Sequence, residues 1–236
     1  MVAYPYPGIF CTTWITIVLG TKLSDGAIYL YDVVENIFPY KEQGDLVLTQ
    51  KPNGILSHAD GTGSLGFVEK LSAQIGHKLL VCHRLDRETS GAMIFAKTKI
   101  AAARLTKLFE YHEVQKTYVF CTSGDRDRKD FEIRSEIKKI RGRLVSHLTG
   151  NLNSHTSFSF IGPAQNGLFA WRAKPHTGKT HQIRLHAKSA GIHVLGDLGS
   201  DNAPRLYLHS FEISFPWDGH FLCHQAKIPA EFGVKL

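Results

Sequence analysis

Cysteine is scarce in this chain and unpaired by spacing. Among 236 residues only Cys11, Cys82, Cys121 and Cys223 occur, with no C-x-x-C. That excludes a zinc ribbon and a dense disulfide framework, and leaves buried free thiols in a reducing cytoplasm as the simplest reading. No apolar run reaches the roughly 18 residues a spanning helix needs, so no membrane attachment is expected. Residues 8–20 are apolar but short. No Lys or Arg precedes them and no A-x-A site follows, so they read as a strand, with secretion a minor alternative. The 13 histidines form no H-E-x-x-H or comparable pattern, which argues against a metal site. A phosphate-binding loop, an internal repeat and a linker-like composition break are all missing.

What is present is positive charge and a full complement of core formers. Lys and Arg outnumber Asp and Glu by 28 to 21, a net charge of +7. Such an excess favours a polyanionic partner, nucleic acid first and an acidic membrane surface second. The length suits one generous domain or two small ones.

The most informative stretch runs from His83 to Gly91, H-R-L-D-R-E-T-S-G. Asp86 lies between Arg84 and Arg87, and two flanking guanidiniums should lower its pKa and keep it ionised. An ionised, oriented carboxylate can be a nucleophile, a base or a salt-bridge partner. By charge alone the group reads first as an ion-pair cluster at a strand end.

Read in order, residues 1–36 are the least legible, with strand-like runs at 12–19 and 27–34. Residues 37–50 predict a hairpin turning at 42–45. Pro52 and Gly54 shape a loop. Ser64 is the expected N-cap of a helix carrying Leu65, Val68, Leu71 and Ile75 to Gly76. Residues 79–82 and 92–96 read as strands. Residues 97–113 give the clearest helix, with Ile100, Ala101, Leu105, Leu108 and Phe109 as its buried stripe. A strand follows at 114–120, then a charged turn at 123–130. A basic strand region at 131–148 gathers Lys138, Lys139, Arg141, Arg143 and His147 around Gly142. Residues 156–161 and 168–174 predict a second hairpin. Thr180 can cap a helix beginning near His181. Phe211, Ile213 and Phe215 alternate toward one sheet face, and the chain closes in an irregular tail.

Four stretches together resemble the RluA-type pseudouridine synthases. They are K-P-N-G followed by His58, the H-R-L-D stretch, Lys116-Thr-Tyr118, and T-G-K-T-H-Q-I-R-L-H from Thr177 to His186. Residues 191–197 match the family's next segment only in part, with His193 where Pro is usual, and Asp197 reads as structural. No RNA-binding module of the S4 type is evident. The resemblance implies an α+β fold with a mixed, mainly antiparallel central sheet and flanking helices. The catalytic domain would cover residues 37–236, with 1–36 an extension of unknown role.

By that resemblance the reaction is isomerisation of uridine to pseudouridine in RNA, ribosomal or transfer, without cofactor or metal. Asp86 would be the nucleophile, or the base in a glycal route. Tyr118 would stack on the uracil and assist proton removal at C5, and Arg184 would form an ion pair with Asp86. Arg84 would fill the space left by the flipped base. Arg87, Lys51, His83, Lys179, His181, Lys138 and Arg141 complete the expected RNA-binding set. The chain is read as a cytoplasmic monomer. A non-catalytic RNA-binding domain of the same fold is the main alternative, and a histidine-dependent metallohydrolase a distant third.

Overall fold

The computed structural model describes residues 20–22, 28–30, 38–61, 63–124, 129–197 and 203–234. The expected strand at 12–19, most of that at 27–34 and residues 125–128 of the charged turn lie outside them. The chain divides into two units, residues 1–38 and 39–236. In the first, β1 (Gly20–Lys22) pairs antiparallel with β2 (Ile28–Leu30).

The second unit is built on one mixed sheet. Its strands are β3 (Tyr40–Gln43), β4 (Leu46–Lys51), β5 (Leu80–Val81), β6 (Ser90–Ala96), β7 (Gln115–Thr122), β8 (Phe131–Ile140), β9 (Arg143–His147), β10 (Ser154–Pro163), β11 (Phe169–Pro175), β12 (Leu208–Trp217) and β13 (His220–Gln225). Along the sheet they run β3-β4-β6-β12-β7-β11-β10-β8-β9, with β5 beside β6 and β13 beside β12. The β6–β12 pairing is parallel and short, through His209↔Ser90 and Ser210↔Gly91. At that crossing a Cβ on Gly91 would meet the Ser210 carbonyl oxygen at 2.2 Å, so only glycine fits. The expected hairpins form, and the basic one turns on Arg141 and Gly142, both at positive φ (47° and 81°). β13 falls where an irregular tail was expected; its partner strand β12, not its own pattern, sets it.

Among the described residues three α-helices cover the sheet. α1 (Phe67–Ile75) buries Phe67, Val68 and Leu71. It begins later than Ser64 predicted. Its first amides donate instead to backbone carbonyls, Phe67 N–H to Leu56 and Val68 N–H to Ser57 at 2.8 and 3.1 Å. Those acceptors replace a side-chain cap. Leu65, outside the helix, is 59% exposed. α2 (Lys99–Glu110) is capped by the Thr98 hydroxyl, which accepts from Ala101 N–H at 3.2 Å. Ala101 and Leu105 face the core, with Leu108 and Phe109 packed at its margin. Ile100 is corrected to the solvent face at 83% exposure, because it sits a third of a turn off that line.

α3 (Gln182–Ser189) is not capped by Thr180; its N-cap is His181, in the left-handed region at φ 55° with no side-chain cap bond. The two larger core clusters among the described residues each take in one helix. One joins β4, β6, β12 and β13 to α2, and the other joins β7, β10 and β11 to α3. Phe211 departs from the alternation expected of it. A register shift between Ser210 and Glu212 turns it toward Val119, Tyr207 and Phe232, while Ile213 and Phe215 stay in the α2 core. No helix among the described residues is long and apolar enough to cross a membrane.

α3 is fastened to the sheet by a fully buried histidine. His186 Nε2 lies 2.8 Å from Ser135 Oγ and 3.0 Å from Ser154 Oγ, and Nδ1 lies 2.9 Å from Thr156 Oγ1. Burial pushes its pKa down to about 4, and does the same for buried His209. As pH falls below 6.5 the unfolded chain's imidazoles take up protons while these two stay neutral. The unfolded state then binds more protons, so stability is full above about 6.5 and declines toward pH 4. The slope is up to about 1.4 kcal/mol per pH unit for each histidine. Thermal unfolding between pH 4 and 7 is expected to show this fall, and His186→Gln to flatten it. An unchanged slope in the variant would contradict the assignment.

Candidate active site

The sheet edge of β6 has a gap. β5 pairs with its end, Phe95 and Ala96, and β12 with its start, Ser90 and Gly91. Two side chains fill the space between. His83 Nε2 accepts the Ile94 N–H at 3.0 Å, and Ser210 Oγ donates to the Ala92 carbonyl at 3.3 Å. The loop carrying Asp86 springs from this gap, joining β5 to β6.

The segment 51–57 grips that loop. Lys51 is fully buried at the end of β4. Its three ammonium protons go to the carbonyls of Pro52, Ile55 and Arg87, at 3.0, 2.7 and 3.0 Å. Ser57 Oγ donates to the Leu85 carbonyl at 2.7 Å and accepts the Leu85 N–H at 3.0 Å. Gly54 N–H donates to the Arg87 carbonyl at 2.9 Å, and Arg87 Nε returns a bond to the Gly54 carbonyl at 3.0 Å. Within the loop, Thr89 N–H donates to the Asp86 carbonyl at 3.1 Å. Asp86 is thus bracketed on both sides by backbone that cannot shift freely.

This bracket opens onto a cavity of about 500 Å³. Its walls come from the Asp86 loop, from the end of α2 (Thr106, Phe109 and Glu110), from Lys116 and Tyr118 on β7, and from residues 177–184 leading into α3. Asp86, Tyr118 and Arg184 all line it, as do Arg84, His83, Lys179 and His181. Lys51, Arg87, Lys138 and Arg141 do not.

Several expectations are corrected. Arg184 does not pair with Asp86. Its Nε donates to Asp197 Oδ1 at 2.6 Å and its Nη2 lies on the same oxygen. Asp197 is therefore the charged partner the sequence pattern concealed. Asp86 instead faces His181, Nε2 to Oδ2 at 3.8 Å. That is too long for a hydrogen bond. Among the described residues neither Arg84 nor Arg87 forms an ion pair with Asp86.

Lys51 is no RNA contact, since burial removes it from any ligand and all its donors are satisfied. Burial lowers its pKa to about 7 against the pull of Glu88 and Asp86. His83 is not a cation for phosphate either. It stacks on Phe109 with centroids 4.6 Å apart, and burial first, then Lys116, drives its pKa to about 3. The imidazole is neutral and carries its proton on Nδ1, because Nε2 accepts from Ile94. Arg87 is exposed but holds the loop. Lys138 and Arg141 sit on the β8–β9 hairpin, exposed, with Lys138 Nζ 2.7 Å from Glu136.

Burial pushes the Tyr118 hydroxyl up to about 12, partly offset by a hydrogen bond with Ser210 and reinforced by Asp86. It is protonated at neutral pH. Lys116, part of the Lys116-Thr-Tyr118 stretch but given no role by the sequence, is a further functional candidate, and strand alternation already placed it on the Tyr118 face. Its Nζ donates to the Thr177 carbonyl at 3.1 Å, and burial lowers its pKa to about 8. Gln182 completes the wall. Its Oε1 accepts from Thr177 Oγ1 (2.7 Å) and Lys179 N–H (3.0 Å), and its Nε2 donates to His155 O and Thr156 Oγ1, both at 2.9 Å.

Residues 45–189 match the family described as RNA pseudouridylate synthase. The chain is 32% identical over 187 residues to an uncharacterized RNA pseudouridine synthase of Haemophilus influenzae, spanning 77% of this chain and 83% of that protein. It is 29% identical over 229 residues to the ribosomal large subunit pseudouridine synthase C of Rickettsia bellii, spanning 90% and 76%. Its fold is similar to that of human RNA pseudouridylate synthase domain containing 1, with a TM-score of 0.69 at 24% identity over 82% of this chain and 84% of that one.

Two outcomes are expected from the loop and the ion pair. Lys51→Met leaves three carbonyls without their donor and should lower unfolding stability by on the order of 2–4 kcal/mol in urea titrations. The salt dependence of RNA affinity should not change. Asp197→Asn should weaken the hold on Arg184 and lower turnover more than RNA affinity. A variant that lost affinity alone would place Asp197 outside the reacting site.

Proposed function

The chain belongs to the RNA pseudouridylate synthase family, and we propose that its cavity isomerises a flipped-out uridine in structured RNA, ribosomal or transfer, with Asp86 as the reacting carboxylate. Membership makes it an RNA isomerase. In the proposed reaction the bond from C1′ to N1 breaks, the uracil turns, and C1′ bonds to C5. The C5 proton leaves and N1 gains one, so atoms balance without an oxidant or a second substrate.

One observation carries this reading: Asp86, Tyr118 and Arg184, from three separate elements, line a single cavity large enough for a nucleoside. Asp86 attacks C1′ as a nucleophile, or removes a ribose proton in a glycal route. Tyr118 stacks on the uracil as a neutral phenol. Because its pKa is raised to about 12, it takes the C5 proton only while passing its own onward, and the Ser210 hydroxyl is its hydrogen-bonded neighbour. Arg184, held by Asp197, supplies fixed positive charge to the cavity wall.

Removing a uridine from its stack costs a few kcal/mol. Arg84, exposed at the cavity, is placed to offset this by stacking in the vacated space. Lys179 and His181 supply polar contacts at the same opening, and Lys138 and Arg141 extend the basic surface along the β8–β9 hairpin. Flipping favours targets in loops and at helix junctions over perfect duplex.

Tritium release from RNA labelled at uridine C5 tests the reaction. Wild-type protein should release label, and Asp86→Ala should cut the rate by at least about 10³-fold while RNA binding persists. No release from any cellular RNA by wild-type protein would remove the proposal. Replacing Lys138 and Arg141 by Glu should reduce the slope of log affinity against log salt by about 0.7 for each phosphate these side chains no longer neutralise.

A further inference from the structure

On the side of the sheet away from α3, three potential metal ligands converge from three chain segments. Thr156 on β10 points toward α3, where its hydroxyl meets Gln182 and His186. Its strand neighbours His155 and Ser157 therefore point the opposite way. Ser157 lies directly across from Glu132 on β8. His176, just past β11, lies across from His155, to whose carbonyl its N–H donates at 2.9 Å. One donor atom each from Glu132, His155 and His176 lies within 4.8 Å of the others.

We propose that Glu132, His155 and His176 form a binding site for a divalent transition metal ion, zinc by preference. Two imidazoles and one carboxylate are a zinc donor set that leaves a fourth position for water. Supporting groups are in place. The Ser157 hydroxyl lies 2.8 Å from Glu132 Oε1 and 2.8 Å from His176 Nε2, while Glu132 Oε2 lies 3.1 Å from His155 Nε2. The backbone beneath is tied down, with His155 N–H donating to Thr177 Oγ1 at 3.1 Å.

The two rings are stacked, centroids 4.1 Å apart and 18° from parallel. Zinc bonds of about 2.0–2.1 Å place neighbouring ligand atoms about 3.3 Å apart. The rings must therefore splay modestly about χ2, and His176 must exchange its Ser157 contact for the ion. Arg134 competes for Glu132 Oε2 at 3.8 Å, but its side chain is 61% exposed and can swing into solvent. A bound ion would pin β8 and β10 to His176, and so to the loop that carries Lys179 and His181 into the cavity from the other side.

The test is calorimetric titration of chelator-stripped protein with Zn²⁺, paired with Co²⁺ as a spectroscopic probe. One saturable equivalent of micromolar affinity is expected, together with visible absorption of tetrahedral type for Co²⁺. His176→Ala and Glu132→Gln should each weaken binding at least tenfold and abolish the absorption. Zn²⁺ should raise the unfolding midpoint of wild-type protein and not of the variants. Circular dichroism in chelator confirms that each variant folds, and His176→Gln replaces the alanine if it does not. Absence of saturable binding overturns the site, and so does undiminished affinity in a His155→Ala/His176→Ala double variant.

Discussion

The burial of one ammonium group among three backbone carbonyls holds the functional half of this molecule in place. Lys51 joins the end of β4, the turn at Pro52–Ile55 and the loop at Arg87 through a single atom. A buried cation is costly unless its donors are satisfied. Here geometry satisfies all three, so the group fixes where two loops must sit. The Ser57–Leu85 and Gly54–Arg87 bonds then follow as a ladder between those loops. Asp86 can be aimed at a cavity because both of its flanks are already committed.

The sheet itself contributes by being incomplete. Where β5 stops and β12 begins, β6 lacks a strand partner on the side away from β4, and His83 and Ser210 complete the hydrogen bonding there with side chains. The gap lets the chain leave the sheet carrying a charged residue without stranding backbone groups. The gap, α2 and the start of α3 enclose a site lined by Asp86, by Glu110 and by several cations. Within it each charge has a different task. Arg184 is locked to Asp197, Lys116 holds the Thr177 carbonyl, and His181 faces Asp86. Because Asp86 is not bonded to a guanidinium, its carboxylate stays open to the cavity.

Much of this was legible in the chain. The α2 stripe, the two hairpins and the Gly76 helix stop came from short-range periodicity and turn chemistry, which depend on neighbours a few residues away. The misreadings share one cause. Ser64 and Thr180 look like caps, but α1 is capped by carbonyls of residues 56 and 57, and α3 begins in a loop organised by Gln182. Ile100 fits an apolar stripe by residue type and misses it by angle. Phe211 alternates correctly until a bulge, set by pairing with β7, turns it over.

The amino-acid order by itself determined most strands and helices, though not β13 or the starts of α1 and α3, that the chain is basic, and that an Asp between two arginines sits beside a strand end. Only the tertiary structure decided the partner of each charged group. Arg184 could not be assigned to Asp197 rather than Asp86 by spacing, because both lie within reach of a helix whose orientation is set by His186 and the sheet. Lys51 and His83 look like surface cations in one dimension; in three, Lys51 is a buried support and His83 a half-buried one that bonds the β6 backbone. Glu132, His155 and His176 are separated by more than twenty residues at each step, and strand register alone brings them to one face. Local pattern carries propensity, while electrostatic partnership depends on distances that only the folded chain creates.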